Sequence, residues 1–459
     1  MFALAGVPRA PAAVPAEPPI PPPFKQLRYD ENYAYLKNPA LRSDYLDWVK
    51  FIPLTTNGQL YLTLGGEIRQ RYEYYHNSDW GDGPQDDNGY LLQRYMVHAD
   101  VHLGEHIRFF TQFKSGLEND RNGGPRPTDE DEFDLHQTFL DVRIPWSDQD
   151  SFTLRGGRQE LSYGSSRLVS VREGPNVRQS FDGVKAILKA TDLQVDAFAV
   201  KPVRTRTGVF DDDSNPGQNF WGVYATTPIS WLAAGNVDLY YLGLDREDAS
   251  FDQGTARELR HSIGSRMWGQ LGGWDYNLEF VYQFGSFDSG DIQAWTAASD
   301  VGFTFENIVL KPRLGLKANV TSGDKNPDNP DLQTFNPLFP RGSYFGEPAL
   351  IGPANHIDVH PSLELVPHDN VTLNLNWDWF WRESTRDGAY GPPLNLIQSG
   401  QSSDARYVGN QAEVLLEWRP NRHFTLTADY AHFFAGDFLK EATPGKDVDY
   451  FSAWLTFRF

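Results

Sequence analysis

Residues Asp447 to Phe459 read DVDYFSAWLTFRF. Phe451, Ala453, Leu455, Phe457 and Phe459 fall on one side of this stretch, and Ser452, Thr456 and Arg458 fall on the other. The period is two, which is that of a strand with one apolar and one polar face. It runs to the last residue, an aromatic.

A closing amphipathic strand that ends in Phe resembles the terminal signature of bacterial outer-membrane barrels. The rest of the chain then has to supply similar strands of about ten residues, apolar outward and polar inward. It does. In YLTLGGEIRQRYEYY, from residue 61, Thr63, Glu67, Arg69, Arg71 and Glu73 are polar, while Leu62, Leu64, Ile68, Tyr72 and Tyr74 are mostly apolar. Arg94, His98, Asp100 and His102 oppose Tyr95, Val97, Ala99 and Val101. After a tight Gly104-Glu105 turn, Arg108, Gln112, Lys114 and Glu118 oppose Ile107, Phe109, Phe113 and Leu117. The same signal recurs at 152–163, 193–200, 257–269, 274–287, 309–322, 355–366, 370–383, 406–418 and 422–434. It recurs more faintly at 133–144, 180–190, 219–228, 236–246 and 293–303. The fold class that follows is all-β: a closed antiparallel transmembrane β-barrel of about 18 strands. A soluble sandwich needs only one buried face per sheet and no aromatic girdle. A propeller needs a blade repeat, and none is present.

Composition agrees. No run reaches the 18 apolar residues of a membrane-crossing helix. The chain of 459 residues is 14% aromatic and carries 40 glycines, which suits aromatic girdles and many turns. A negative mean hydropathy of -0.52 fits a barrel, because half of each strand faces a wet lumen. With no cysteine, disulfides and a lipid-anchored N-terminal Cys are excluded. The net charge of -20 argues against nucleic-acid partners. Its acids gather in connecting segments, at Asp79, Asp82, Asp86 and Asp87, then Glu118 to Glu132, then Asp211 to Asp213. These read as solvated loop surface, with bridging through divalent cations to outer-leaflet lipopolysaccharide as a sharper alternative.

Three parts follow from this reading. Residues 1–23 are rich in Ala and Pro and are expected to be a partial signal region and linker. Residues 24–56 are expected to form a periplasmic extension with one short helix, near or inside the periplasmic mouth. Residues 57–459 are the barrel. Long loops interrupt it at 119–132, 164–180, 323–354 and 384–405. The third carries Phe335, Phe339, Tyr344 and Phe345, an unusual content for a solvated tip. It either enters the lumen as a constriction or packs on itself outside.

Four places resemble the outer-membrane alginate export family. They are Leu154 to Leu161 (LRGGRQEL), Phe380-Trp381-Arg382, Val408 to Glu413 (VGNQAE) and the terminal strand. The resemblance implies an eighteen-stranded barrel that passes an anionic uronate polymer through an arginine-rich constriction. Carried over by residue, it implies Arg155, Arg158 and Arg382 as basic pore-lining positions. Two features depart from the family: the long N-terminal extension, and a strand at Thr425 to Phe434 without arginines.

The inward-facing positions add Arg69, Arg71, Arg94, Arg108, Lys114, Arg313 and Lys317 as candidate pore-lining cations. Glu67, Glu73, Asp100, Glu118, Asp275 and Glu279 stand among them. Cations in a narrow lumen attract anions and Arg grips carboxylates, whereas pairing across strands would merely stiffen the wall. Strict alternation puts Arg158 opposite Arg155 unless Gly156-Gly157 forms a bulge. His98-Asp100-His102 and His356-Asp358-His360 have a spacing that places three ligand types on one face, but on a wet wall they read as hydrogen-bonded polar residues. No metal or cofactor is assigned. With no Gly-x-Ser-x-Gly elbow, phosphate loop or cysteine nucleophile, a barrel hydrolase is the minor alternative to a non-enzyme. The expected function is a passive outer-membrane channel for an anionic, alginate-like saccharide or polysaccharide, with a general small-solute porin as the alternative. Expected partners are outer-membrane lipid and lipopolysaccharide, the saccharide, and the barrel assembly machinery.

Overall fold

The structure is a computed structural model and describes residues 21–86, 88–147, 149–229 and 235–459. Residues 1–20, which hold most of the Pro-rich start, and Asp87 lie outside the described residues.

Eighteen strands pair in sequence order. They are β1 Leu60–His76, β2 Tyr90–Leu103, β3 Ile107–Asn119, β4 Asp131–Pro145, β5 Ser151–Gln159, β6 Phe181–Ala190, β7 Leu193–Arg204, β8 Gln218–Ile229 and β9 Gly235–Phe251. They continue as β10 Gly254–Leu271, β11 Trp274–Phe287, β12 Gly290–Thr304, β13 Arg313–Thr321, β14 His356–His368, β15 Val371–Trp381, β16 Tyr407–Trp418, β17 Phe424–Ala435 and β18 Val448–Arg458. Each pairs antiparallel with its neighbours, and β18 returns to β1, from Glu67 opposite Arg458 to His76 opposite Asp449. The sheet therefore has no free edge. Among the described residues no helix is long and apolar enough to cross a membrane.

The alternation follows the sequence pattern. On β10 and β11, Ile263, Leu278, Phe280 and Tyr282 point out and are 42 to 54% exposed, while Ser262, Glu279 and Gln283 point in and are buried. Lipid requires the apolar face and the closed ladder alike, since no water is there to satisfy a backbone group. One end of the barrel carries the tight connections, such as Gly104–His106, Thr191–Asp192, Gly272–Gly273 and Asp369–Asn370. The other carries the long loops 120–130, 160–180, 322–355 and 382–406. By the usual arrangement of such barrels, the first end is periplasmic and the second extracellular.

Two loops turn inward. Phe335, Leu338 and Phe339 of 322–355 are buried against the inward side chains Phe181, Phe198, Phe220, Leu242, Val281 and Ala294, and Leu332 against Phe251, Phe287 and Ile292. The aromatic tract therefore serves the lumen and not a solvated tip. Loop 160–180 joins it through Val169 and Phe339. The 382–406 loop forms a cover with its own small hairpin, Ala389–Gly391 on Asn395–Gln398. Residues 24–56 pack at the opposite mouth as short turns and the four-residue helix α1, Asp47–Lys50.

The inside–outside assignment has a direct check. Ile263→Arg, at the centre of an outward face, should destabilise the barrel in lipid vesicles by about 2–4 kcal/mol. Asn374→Arg, an inward position, should change stability far less. Equal losses in urea unfolding of the two variants would contradict the assignment.

Candidate functional site: a lumen divided by inward loops

The inward faces of β1 and β2 carry Glu67, Arg69, Arg71, Glu73 and Arg94, all buried. They converge on the tip of loop 160–180. Arg69 donates to the carbonyls of Glu173 (2.9 Å), Gly174 (3.2 Å) and Pro175 (2.9 Å). Arg94 pairs with Glu67 at 2.6 Å and with Glu173. Arg71 pairs with Glu73 at 2.6 Å and reaches Glu347 of the second inward loop at 3.1 Å. Burial works against the Glu173 charge, but Arg94 and Arg178 beside it outweigh burial and hold its carboxyl down to about 2. These arginines are thus consumed in anchoring a constriction loop. A buried guanidinium needs acceptors, and the loop tip supplies those of the two terminal nitrogens of Arg69.

The remaining candidates separate. Arg155 forms a bidentate pair with Asp141 at 2.7 and 2.8 Å. Arg108 does the same with Asp100 at 2.8 and 2.7 Å. Lys114 sits between Asp131 (2.6 Å) and Asp212 (2.8 Å) at the extracellular rim. Arg313 pairs with Asp275 at 2.5 Å. Lys317, like Arg69 and Arg382, has no carboxylate within ion-pair distance among the described residues, but unlike those two it is not taken up by backbone carbonyls, and it lies 5.8 Å from the Tyr344 ring.

Two positions differ from expectation. Pairing of β5 with β4 and β6 runs unbroken through Gly156, Gly157 and Arg158. There is no bulge, so Arg158 stays on the face opposite Arg155 and pairs with Asp182 at 2.8 Å. Gly157 instead answers close packing: its φ is +134°, and a Cβ there would collide with the carbonyl oxygen of Thr138. Arg382 is fully buried and points into the loop cover. It donates to the carbonyls of Thr385, Asp387, Ser403 and Ala405 and stacks 3.9 Å from the Phe438 ring. It clips a loop and does not line a pore.

The His-x-Asp-x-His sets also resolve into pairs. His102 meets Asp100 at 3.0 Å, His356 meets Asp358 at 3.1 Å, and His360 meets Asp378 at 2.9 Å, while His98 stacks on Phe110. Each ring takes its own neighbour, so none of the three-residue sets closes on a common point.

Arg167, Glu173 and Arg178 hold the inward loop in place, and the strand pattern does not point to them. Arg167 links the constriction loop to Glu279 (2.9 Å), to Asn319 (3.0 Å) and to the face of Tyr344 (4.6 Å). The available signal was charge: of the four long loops, 160–180 is the one with a net positive charge, three arginines against two glutamates.

What is left open is a vestibule of about 760 Å³ between the extracellular loops and two cavities inside. The larger inner cavity, about 670 Å³, runs along β11 to β16. Its cations are Arg167, Arg313, Lys317 and Arg341, its acids include Asp275, Asp300, Glu364 and Glu413, and Asn277, Asn374, Asn376, Ser343 and Ser362 lie between them. The smaller, about 430 Å³, lies on the β5 to β10 side under Tyr29, Arg155 and Lys185.

An apolar belt outside and a polar, loop-narrowed lumen inside define an outer-membrane β-barrel channel of the porin type. Solved porins share the architecture. OpdK of Pseudomonas aeruginosa, solved with vanillate, superposes with a TM-score of 0.58 at 10% identity, covering 87% of this chain and 98% of that one. A BenF-like porin from Pseudomonas fluorescens Pf-5 gives 0.59 at 10% identity, with the same coverages. OccK8 (OprE) of Pseudomonas aeruginosa gives 0.58 at 11% identity, again covering 87% and 98%. No curated protein sequence matches the chain. The alginate export family model matches residues 60–452, and the chain belongs to that family.

The loop cover carries a pH dependence. Asp387 accepts hydrogen bonds from Thr334, Tyr390 and the amide of Asp324. Burial pushes its carboxyl up to about 6 against those bonds. The folded cover therefore holds a proton that the free loop releases at the ordinary value of 3.8. This contribution to stability is complete below that value and is lost as pH rises through 6. The 384–405 segment should resist proteolysis roughly tenfold or more better near pH 4.5 than near pH 7.5. Asp387→Asn should flatten the difference; a wild-type rate independent of pH would contradict it.

Proposed function

We propose that this chain is a passive channel for a short acidic saccharide of the uronate type, which traverses the lumen along β11 to β16. One observation carries the reading: in the larger inner cavity, Lys317 and Arg341 form no ion pair among the described residues, although Asp275, Asp300, Glu347, Glu364 and Glu413 also line it, and Asn and Ser side chains lie between the charges. Lys317 and Arg341 would meet a carboxylate, and Asn277, Asn374, Asn376 and Ser362 would exchange hydrogen bonds with hydroxyls. Water in the lumen keeps each contact weak enough for release, as conduction requires. The family description, alginate export, refers to a polyuronate and supports the same chemistry. With both inward loops seated, a short saccharide suits the space better than a polymer.

The alternative is a general small-solute porin. It is favoured by the pairing of Arg71, Arg94, Arg108, Arg155 and Arg313 with carboxylates of the protein, which leaves little net positive field in the lumen.

Planar-bilayer recordings separate the two. Under the first reading, oligouronate blocks the open channel, and Lys317→Gln with Arg341→Gln weakens the block by about 10- to 100-fold, the equivalent of one or two charge-assisted hydrogen bonds. Cation preference with no block by oligouronate would favour the general porin.

A further inference from the structure

We infer that residues 24–56 form a detachable plug, which closes the periplasmic mouth and holds the channel in a low-conducting state. The inference rests on the chain being a channel and not on the solute it passes.

The segment is not part of the wall. Among the described residues its only strand pairing is Ile52 and Pro53 beside the base of β1. It is fastened instead by side chains that reach three separate parts of the lumen. Arg28, buried, spans the closure seam, donating to the carbonyl of Gly66 on β1 (2.9 Å) and to that of the terminal Phe459 (2.7 Å). Glu31 neutralises it at 2.7 Å. Tyr29 enters the bore and packs edge-on against Phe110 and Phe139, at 6.2 and 5.4 Å between ring centroids. The Arg155 guanidinium lies 4.2 Å from its ring. Farther out, Asp44 meets His423 of the β16–β17 turn at 2.8 Å.

Contacts with the constriction loop make the segment more than a brace for the seam. The Tyr29 hydroxyl donates to the carbonyl of Glu160 at 2.8 Å, and Arg178 donates to the carbonyl of Gln26 at 3.0 Å. Plug and loop 160–180 therefore stack along the bore from opposite ends. Leu27, Tyr29 and Asp30 line the smaller cavity, so that this part of the lumen lies behind the segment.

The fastening is of a kind that can be undone. Except at Ile52 to Leu54, release breaks side-chain contacts in a wet lumen, where water replaces each lost partner. The strand ladder of the wall keeps its bonds, so no backbone group is left unpaired in lipid. A seated Tyr29 also covers the Arg155–Asp141 pair, so departure widens the bore and exposes that pair to the lumen.

The test uses the intact chain with a protease site inserted in the exposed Thr55–Asn57 turn. The protein is folded, incorporated in a planar bilayer and then cut from the periplasmic side. Loss of the peptide should raise single-channel conductance about twofold or more, and synthetic peptide 21–56 should lower it again. In the uncut chain, Arg28→Ala with Tyr29→Ala should produce frequent openings to the higher level. Unchanged conductance after the peptide is shown by mass spectrometry to have left would overturn the inference. Where the cut peptide stays seated, the uncut double variant decides, and openings no more frequent than in wild type would overturn it. Neither readout involves oligouronate, so failure here is distinct from failure of the solute assignment.

Discussion

In a bilayer each backbone amide and carbonyl needs a partner within the protein, and that single requirement organises this molecule. It forces the last strand back onto the first, so that Glu67 to His76 of β1 meet Asp449 to Arg458 of β18. Closure makes an inside, and the inside has to be filled or left wet. The alternating faces follow from the same condition. Leucine, phenylalanine and tryptophan meet lipid on one side, and nearly all the ionisable side chains of the strands share the enclosed space on the other.

Enclosure changes what those charges do. Arg69, Arg71 and Arg94 stand on the lumen side, as the alternation requires, yet they bind the inward loops and not open water. Isolated buried charges are costly. Loop 160–180 offers Glu173 and three carbonyls, and the arginines in turn hold it across the bore. The filling is therefore uneven: the β1 to β6 side is occupied by the constriction loop and the N-terminal segment, and the larger inner cavity lies along β11 to β16. Lys317 matters because it faces this emptier side without a carboxylate partner.

The strands were legible to within a few residues because lipid on one side and water on the other impose a period of two that survives in every strand. The face of each charged residue was legible for the same reason, Arg158 included, since no bulge interrupts β5. The partners were not. Nothing local to Arg382 shows that its guanidinium will be taken by carbonyls at 385, 387, 403 and 405. Nothing local to Arg69 shows that residue 174 will come to lie beside it. The pull of loop 322–355 into the lumen was half legible, through Phe335 and Phe339, whose burial requires an apolar wall that Phe181 and Phe220 provide.

By itself the sequence determined the barrel, its strand order, the two faces of each strand and the class of channel, because these depend on local periodicity and on the solvent that each face meets. The tertiary structure alone decided which cations remain free, which loop narrows the bore and which residues fasten the N-terminal segment. Those depend on contacts between residues far apart in the chain, such as Arg28 with Phe459 or Arg167 with Asn319. Closure of the wall brings such residues together, and no local pattern encodes their meeting.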